Sequence, residues 1–454
     1  MIKLTIIGAG SAVFTKNIVT DLLSVDAFKK MEIALQDIDP VRLKASHELL
    51  NVIAEKLNAS PTITSHTDRK ESLLGSDFVQ TTIQVGGYKP STVIDFEIPN
   101  EYGLKQTIAD TLGIGGIMRG LRTIPVLLDI AKDIMDICPK AIWLQYVNPM
   151  CANMIAINNS FPEIKTVGLC HSVQGTAEML AKDLGEKIED IDYLCAGINH
   201  MAFYKKFEKK FNDGKNEDLY PRLKNLAEKI INDEELSSRS KKIDHESDKV
   251  LHEKVRYEIL RRFGYFVTES SEHFAEYVPW FIKQNRQDVI DKYKIPIEEY
   301  IDRCKSNIKL WEKLEKDMTP IYNQPLKRSN EYASFIMDAV ANNNEVTINA
   351  NVMNDGYIDN LPSNCCVEVP CIINAKGISP QKFGRLPEHL AALMRTNINV
   401  QILTAEAAMT KKREHIYHAA LLDPLTAANL TIDEIYSMTD KMIEAHKSYL
   451  PQYH

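Results

Sequence analysis

The sequence predicts an α/β protein, an N-terminal Rossmann-like parallel sheet followed by a larger, mostly helical C-terminal lobe carrying a few β-strands. Three observations predict it. Over residues 1 to about 200, short apolar runs alternate with amphipathic stretches, the pattern of parallel strands covered by helices. The first run, Lys3-Leu4-Thr5-Ile6-Ile7, stops at Gly8-Ala9-Gly10-Ser11 and gives way to a helix-compatible stretch from Val13 to Leu23. Beyond about residue 203 the segments become long and helix-compatible, apart from Glu345–Asn374, which is rich in β-branched residues and turn formers.

Taken in order, the short apolar runs place strands at Lys3–Ile7, Glu32–Gln36, Phe78–Thr82, Ala141–Gln145 and Thr166–Gly168, with a further one from Ile191 to Gly197. The amphipathic stretches between them place helices at Thr15–Ser24, Pro40–Asn58 and Arg122–Cys138. In the second half, helices are expected over Glu246–Phe263, Tyr300–Asp317, Ser329–Asn342 and Leu386–Lys411, and strands around Val346-Thr347-Ile348-Asn349 and Cys366-Val367-Glu368-Val369. At 454 residues the chain is too long for one core, so two parts are expected, 1–200 and 201–454.

Composition narrows the function classes. With 44% hydrophobic and 26% charged residues this is an ordinary globular chain. A formal charge of −8 and a pI near 5.9 argue against a nucleic-acid partner, because phosphate binding needs clustered Lys and Arg. The dense charge run from Ser237 to Lys254 mixes both signs and reads as a solvated helix face or a loop. Eight cysteines lie scattered at 138, 151, 170, 195, 304, 365, 366 and 371, without the spacing of a zinc ribbon or the density of a disulfide scaffold, and are expected to be reduced. The N-terminal apolar segment runs straight into the glycine loop and reads as a strand rather than a signal peptide. No segment has the length of a membrane span, and the cytoplasm is the expected location.

A strand turning through Gly8, Gly10 and Ser11 into a helix N-terminus offers backbone N–H groups to a pyrophosphate, which makes a dinucleotide the first ligand to consider. Val13 stands where the third glycine of the fingerprint would sit, a change that affects helix packing more than phosphate access. Asp37 ends the second strand, where a carboxylate accepts hydrogen bonds from ribose hydroxyls and repels a 2′-phosphate, favouring NAD over NADP. The plainer alternative is a tight turn at Gly8 and Gly10 with Asp37 capping the next helix.

Cys170 closes the Val167-Gly168-Leu169 strand, and His200 follows Gly197-Ile198-Asn199 at the end of another. Strand C-termini in such a sheet face the ligand cleft. One thiolate and one imidazole leave coordination positions open, which suits a substrate-chelating metal. The alternative is a small buried hydrophobe and an ordinary hydrogen-bonded histidine. The other seven cysteines read as core.

Gly8-Ala9-Gly10-Ser11, the segment Gln106-Thr107-Ile108-Ala109-Asp110-Thr111-Leu112-Gly113-Ile114-Gly115-Gly116, Asn148-Pro149, Gly168-Leu169-Cys170-His171-Ser172-Val173, Gly197-Ile198-Asn199-His200-Met201 and Val367-Glu368-Val369-Pro370-Cys371 together resemble glycoside hydrolase family 4, in order and across nearly the whole chain. Within that family, His171 after Cys170, Val85-Gly86-Gly87-Tyr88-Lys89-Pro90 and Gly264-Tyr265-Phe266-Val267-Thr268-Glu269-Ser270-Ser271-Glu272-His273 resemble the α-galactosidase (melibiase) branch rather than the phospho-glycosidases. The resemblance implies NAD and a divalent metal, Mn²⁺, as cofactors, and a route outside the two-carboxylate scheme. That route is oxidation at C3, deprotonation at C2, elimination of the aglycone, addition of water and re-reduction.

The same resemblance implies an α-galactoside substrate of the melibiose or raffinose type, with α-galacturonides, α-glucosides and 6-phospho-glycosides as alternatives, and a homodimer or homotetramer. A net dehydrogenase of the lactate or malate type shares the N-terminal architecture but gives no reason for the Cys170 and His200 pairing. By resemblance, Cys170 and His200 are metal ligands, Asn148 and Asp110 bind the sugar, and His171 is a general acid or a neighbour of the metal. Ser270 falls at or near the position of the C2 base, with Tyr265, Glu269, Glu272, His273 and Tyr277 as nearby candidates. Taken singly, several of these have plainer readings: Gly113, Gly115 and Gly116 as flexibility, Arg119 and Arg122 as a helix face, and the aromatics of Tyr277-Val278-Pro279-Trp280 as core.

Overall fold

Strand β1 (Lys3–Ile7) is buried at every residue, so helices must cover both faces of the sheet it belongs to. Parallel with it run β2 (Glu32–Gln36), β3 (Thr62–His66), β4 (Phe78–Thr81), β5 (Ile142–Gln145) and β6 (Thr166–Gly168), in spatial order β3-β2-β1-β4-β5-β6. The computed structural model describes residues 1–232, 238–242, 250–316, 325–329 and 331–454. Leu4, Ile6, Leu144 and Val167 are fully enclosed between the helix layers, each side chain stabilising the sheet by about 1.5–3 kcal/mol. The helices Ala12–Leu23, Pro40–Lys56 and Met150–Ser160 join successive parallel strands after β1, β2 and β5, and Ser172–Asp183 follows β6.

The sheet does not stop where the parallel pattern ends. It continues through β7 (Ile191–Ile198), β8 (Met201–Lys210) and β9 (Asn216–Asp218), which pair antiparallel; β10 (Ser238–Lys242) and β11 (Val250–His252) form a separate ribbon. Strands β12 (Val346–Met353) and β13 (Cys366–Asn374) insert between β6 and β7, and β14 (Gly377–Pro380) pairs with β13. One row of Cα partners therefore crosses four strands, Gly168 to Asn351 to Glu368 to Gly197, and stitches the two halves of the chain together. The expected boundary near residue 200 falls at the turn of the β7–β8 hairpin.

Most expected elements occur within a few residues of their predicted ends. The helix expected from Arg122 begins at Gly113 and runs to Ile137, because its first turn packs directly on the preceding loop: a Cβ on Gly116 would lie 2.5 Å from the Thr111 carbonyl carbon. Gly113–Gly116 is thus a close approach rather than flexibility. Arg119 and Arg122 are buried rather than on a helix face; Arg122 grips Asp95 with both terminal nitrogens, and His446 Nε2 meets the same carboxylate at 2.9 Å. Strands β3, β8, β9 and β14 lie outside the expected strands. The charge run Ser237–Lys254 lies partly outside the described residues, and its described parts include β10 and β11 rather than a helix face; the helix expected from Glu246 instead begins at Lys254, after β11, and the one expected from Ser329 begins at Tyr332, while 243–249, Asp317 and residue 330 lie outside the described residues.

Candidate active site

Gly8, at the C-terminal end of β1, has φ +84°, and a Cβ there would lie 2.4 Å from the Thr82 carbonyl oxygen, so only glycine fits. Its N–H and that of Ala9 donate to the Gln36 carbonyl, which seats the loop against the end of β2. The following helix starts at Ser11 without a side-chain cap, leaving its first-turn N–H groups for a ligand. Asp37 does not cap the next helix; Asp39 does, accepting from Val41 and Arg42 N–H. The Asp37 carboxylate instead accepts from Gly10 N–H at 2.7 Å and from Asp39 N–H at 2.9 Å, clamping the glycine loop to the end of β2. Two oxygens carry about four lone-pair sites, so acceptor capacity remains for a ribose diol.

Three inter-strand steps along the same edge, about 14 Å, separate this loop from the end of β6. There Cys170 Sγ lies 3.3 Å from His200 Nε2, and one carboxylate oxygen of Glu269 joins them, the three ligand atoms all lying within 4.8 Å of one another. His200 sits in the turn between β7 and β8 with φ +64°, and Glu269 has φ +68°. Such backbone costs a non-glycine residue about 1–3 kcal/mol and persists where the surroundings hold it for a purpose. The other nitrogen of His200, Nδ1, faces the Tyr277 hydroxyl at 3.1 Å and Thr111 Oγ1 at 3.4 Å, the outer-shell support that fixes the tautomer of a ligating histidine. Tyr277, in the sequence a candidate base or a core aromatic, is both buried and part of the site.

The sugar-binding candidates lie beside this cluster. Asn148, just after β5, donates from Nδ2 to Asp110 Oδ2 at 3.2 Å, and Thr111 donates to Asp110 Oδ1 at 2.7 Å. The loop carrying Asp110 is held by Glu276, whose carboxyl accepts from the N–H groups of Thr107, Ile108 and Ala109 at 2.9–3.1 Å; burial still pushes that carboxyl up to about 7. Burial works to raise Asp110 as well, but the Arg119 guanidinium, with His273, His200 and Thr111, holds it below its ordinary range.

Ser270 is buried, and its hydroxyl meets His273 Nδ1 at 2.9 Å; that nitrogen is also 3.4 Å from Glu269, while Nε2 lies 3.9 Å from Asp110. Burial drives His273 down to about 4, so the ring is neutral near pH 7. Thus His273, one candidate among several in the sequence, links Ser270, Glu269 and Asp110.

His171 is placed differently. It directly follows Cys170, but its side chain is 59% exposed, outside the Cys170–His200–Glu269 cluster, with Nδ1 3.9 Å from Glu331. Behind the cluster Glu368 is fully buried and is pushed up to about 8 by burial and by the charges of Cys151 and Glu269, with His200 pulling the other way. Burial likewise raises the Cys170 thiol well above its usual range, reinforced by Glu269 and Glu368. A thiol, an imidazole and one carboxyl converging in this way are the donor set of a cation site. The charged residue inside the apolar run Val367-Glu368-Val369 was the sequence signal for Glu368.

Fold and site together define a Rossmann-type α/β protein with a glycine-turn nucleotide cradle and a thiol–imidazole–carboxylate cluster on one sheet edge. Residues 3–186 match the model of the family 4 glycosyl hydrolases and residues 195–426 that of the family 4 glycosyl hydrolase C-terminal domain. The chain belongs to glycoside hydrolase family 4. It is 48% identical to an alpha-galactosidase of Bacillus subtilis (strain 168) over 453 residues, covering 100% of both chains, and 34% identical to an alpha-galactosidase of Rhizobium meliloti (strain 1021), covering 99% of this chain and 89% of that one. A solved 6-phospho-alpha-glucosidase from gut microorganisms, in complex with NAD and Mn²⁺, superposes with a TM-score of 0.80 at 18% identity over 100% of both chains. Among the described residues, no helix is long and apolar enough to cross a membrane.

Proposed function

We propose that this chain is an NAD- and divalent-metal-dependent α-galactosidase acting on melibiose- and raffinose-type sugars. The observation that carries the reading is the convergence of Cys170, His200 and Glu269 within 4.8 Å, on the sheet edge that also holds the glycine turn. The full-length identity of 48% to an alpha-galactosidase supports the substrate class. The donor set fits a divalent cation, and the Gly8 cradle with its open helix N-terminus fits a pyrophosphate.

When bound, NAD supplies a hydride acceptor and donor for C3 of the galactosyl ring, and a cation such as Mn²⁺ polarises the oxygens at C2 and C3, which acidifies the C2 proton. The chain's own groups do the rest. Gly8, Gly10 and Ser11 form the tight turn that lets the pyrophosphate reach the first-turn N–H groups of the helix Ala12–Leu23, and Asp37 favours NAD over NADP by meeting the ribose diol. Cys170 and His200 hold the cation, with Tyr277 fixing the His200 tautomer. Asn148 and Asp110 take up sugar hydroxyls; the ionised state of Asp110 makes it an acceptor. Ser270, hydrogen-bonded to the neutral ring of His273, receives the C2 proton and passes it to that ring. His171, on the solvent side, delivers a proton to the departing oxygen.

Residues 1–200 form the nucleotide-binding part and 201–454 the part that completes the substrate and metal site and assembles the oligomer. Eight free cysteines, one of them a ligand, fit a reducing cytoplasmic setting. Family resemblance supports a homodimer or homotetramer. Hydrolysis of an aryl α-galactoside tests the reading: it should require NAD⁺, Mn²⁺ and a thiol reductant together, without net NADH. Undiminished hydrolysis after both cofactors are stripped would contradict it.

A further inference from the structure

The metal site that family resemblance implies has two protein ligands, Cys170 and His200, yet the fold brings a third donor to the same point. Glu269 arrives on the segment leading into the helix Ser271–Glu276, and its carboxylate lies within 4.8 Å of both the thiol and the imidazole. Its backbone is held at φ +68°, and its carbonyl oxygen accepts from Thr176 Oγ1 at 3.3 Å, which pins the strained residue to the helix following Cys170. Its Oε1 lies 3.4 Å from His273 Nδ1, and that histidine is itself buried against His200 with ring centroids 4.9 Å apart.

We propose that Glu269 is a third protein ligand of the divalent cation, in place before any sugar arrives. The inference rests on the reading of Cys170 and His200 as ligands. Thiolate and carboxylate together balance the charge of a dication, and a three-ligand site keeps positions open for a vicinal diol. Sugar is then not needed to retain the metal.

Mn²⁺ binding to the NAD-loaded, sugar-free, reduced protein, followed by the electron paramagnetic resonance of free Mn²⁺, tests this. Glu269→Gln is expected to weaken Mn²⁺ affinity at least tenfold while NAD affinity and the melting temperature stay near the parent's. Unchanged Mn²⁺ affinity in Glu269→Gln overturns the inference, even where that variant has lost turnover. Cys170→Ser, titrated alongside, separates the two levels. If it loses Mn²⁺ while Glu269→Gln keeps it, only Glu269 is misassigned; if both keep it, the metal site itself is wrong. Should Glu269→Gln fail to bind NAD, the wild-type protein grown on carboxyl-¹³C glutamate decides. A directly ligating carboxylate gives a resolved ¹³C hyperfine coupling to Mn²⁺ without sugar, and its absence overturns the assignment.

Discussion

Replacing Cys170 with serine is expected to weaken Mn²⁺ binding by about a hundredfold or more and to lower turnover by about a thousandfold, with NAD affinity nearly unchanged. A neutral hydroxyl is a harder and far poorer donor than a thiolate, and the loss of one charged ligand exceeds the 10–100-fold typical of outer-shell changes. NAD affinity is spared because the glycine turn lies at the end of β1, with β4 and β5 between it and β6. The change removes one sulfur from a partly buried position and substitutes a smaller atom, so the fold persists. Manganese titration and NAD calorimetry on the same preparation check both halves. Parental turnover with an unaltered metal titration would show that Cys170 is no ligand.

The second large effect is expected at Asp110. This carboxylate sits buried among Arg119, Asn148, Thr111 and His273, and stays ionised although burial opposes it. Asp110→Asn keeps the shape but removes the charge that Arg119 faces and puts an N–H₂ group where an acceptor stood. Removing the carboxylate leaves the buried Arg119 guanidinium without a nearby anion that stabilises it, and its contact to the Tyr300 hydroxyl at 3.3 Å offsets part of that loss. A fall in kcat/KM of about a hundredfold to a thousandfold is expected, which corresponds to roughly 3–4 kcal/mol of transition-state binding. Urea unfolding at neutral pH should reveal a loss of stability beside the kinetic loss. Kinetics within twofold of the parent would remove Asp110 from the site.

The parts of the site readable in the sequence are those that punctuate strands. Gly8 follows β1 directly, Asp37 follows β2, Asn148 lies just beyond β5 and Cys170 just beyond β6, and each strand is a short apolar run that ends abruptly. What the sequence hides is pairing over long separations. Asn351 meets Gly168 and Glu368 meets Gly197 only because β12 and β13 enter between β6 and β7, and no local pattern records which strand a run will join. The same holds for Tyr277, whose burial is ordinary for an aromatic until the turn at His200 brings an imidazole to its hydroxyl. The start of the Gly113–Ile137 helix was missed because glycines lower helix propensity, and their packing reason lies in a neighbouring loop.

All of this turns on whether the galactosyl ring is oxidised at C3 before its glycosidic bond breaks, since only then is the C2 hydrogen acidic enough to leave. Incubation with an α-galactoside in D₂O, with and without added NAD⁺, followed by nuclear magnetic resonance of the released galactose, measures it directly. Deuterium at C2, appearing only with NAD⁺ and in step with hydrolysis, is the predicted result. Full-speed hydrolysis that leaves the original hydrogen on C2 would contradict the account.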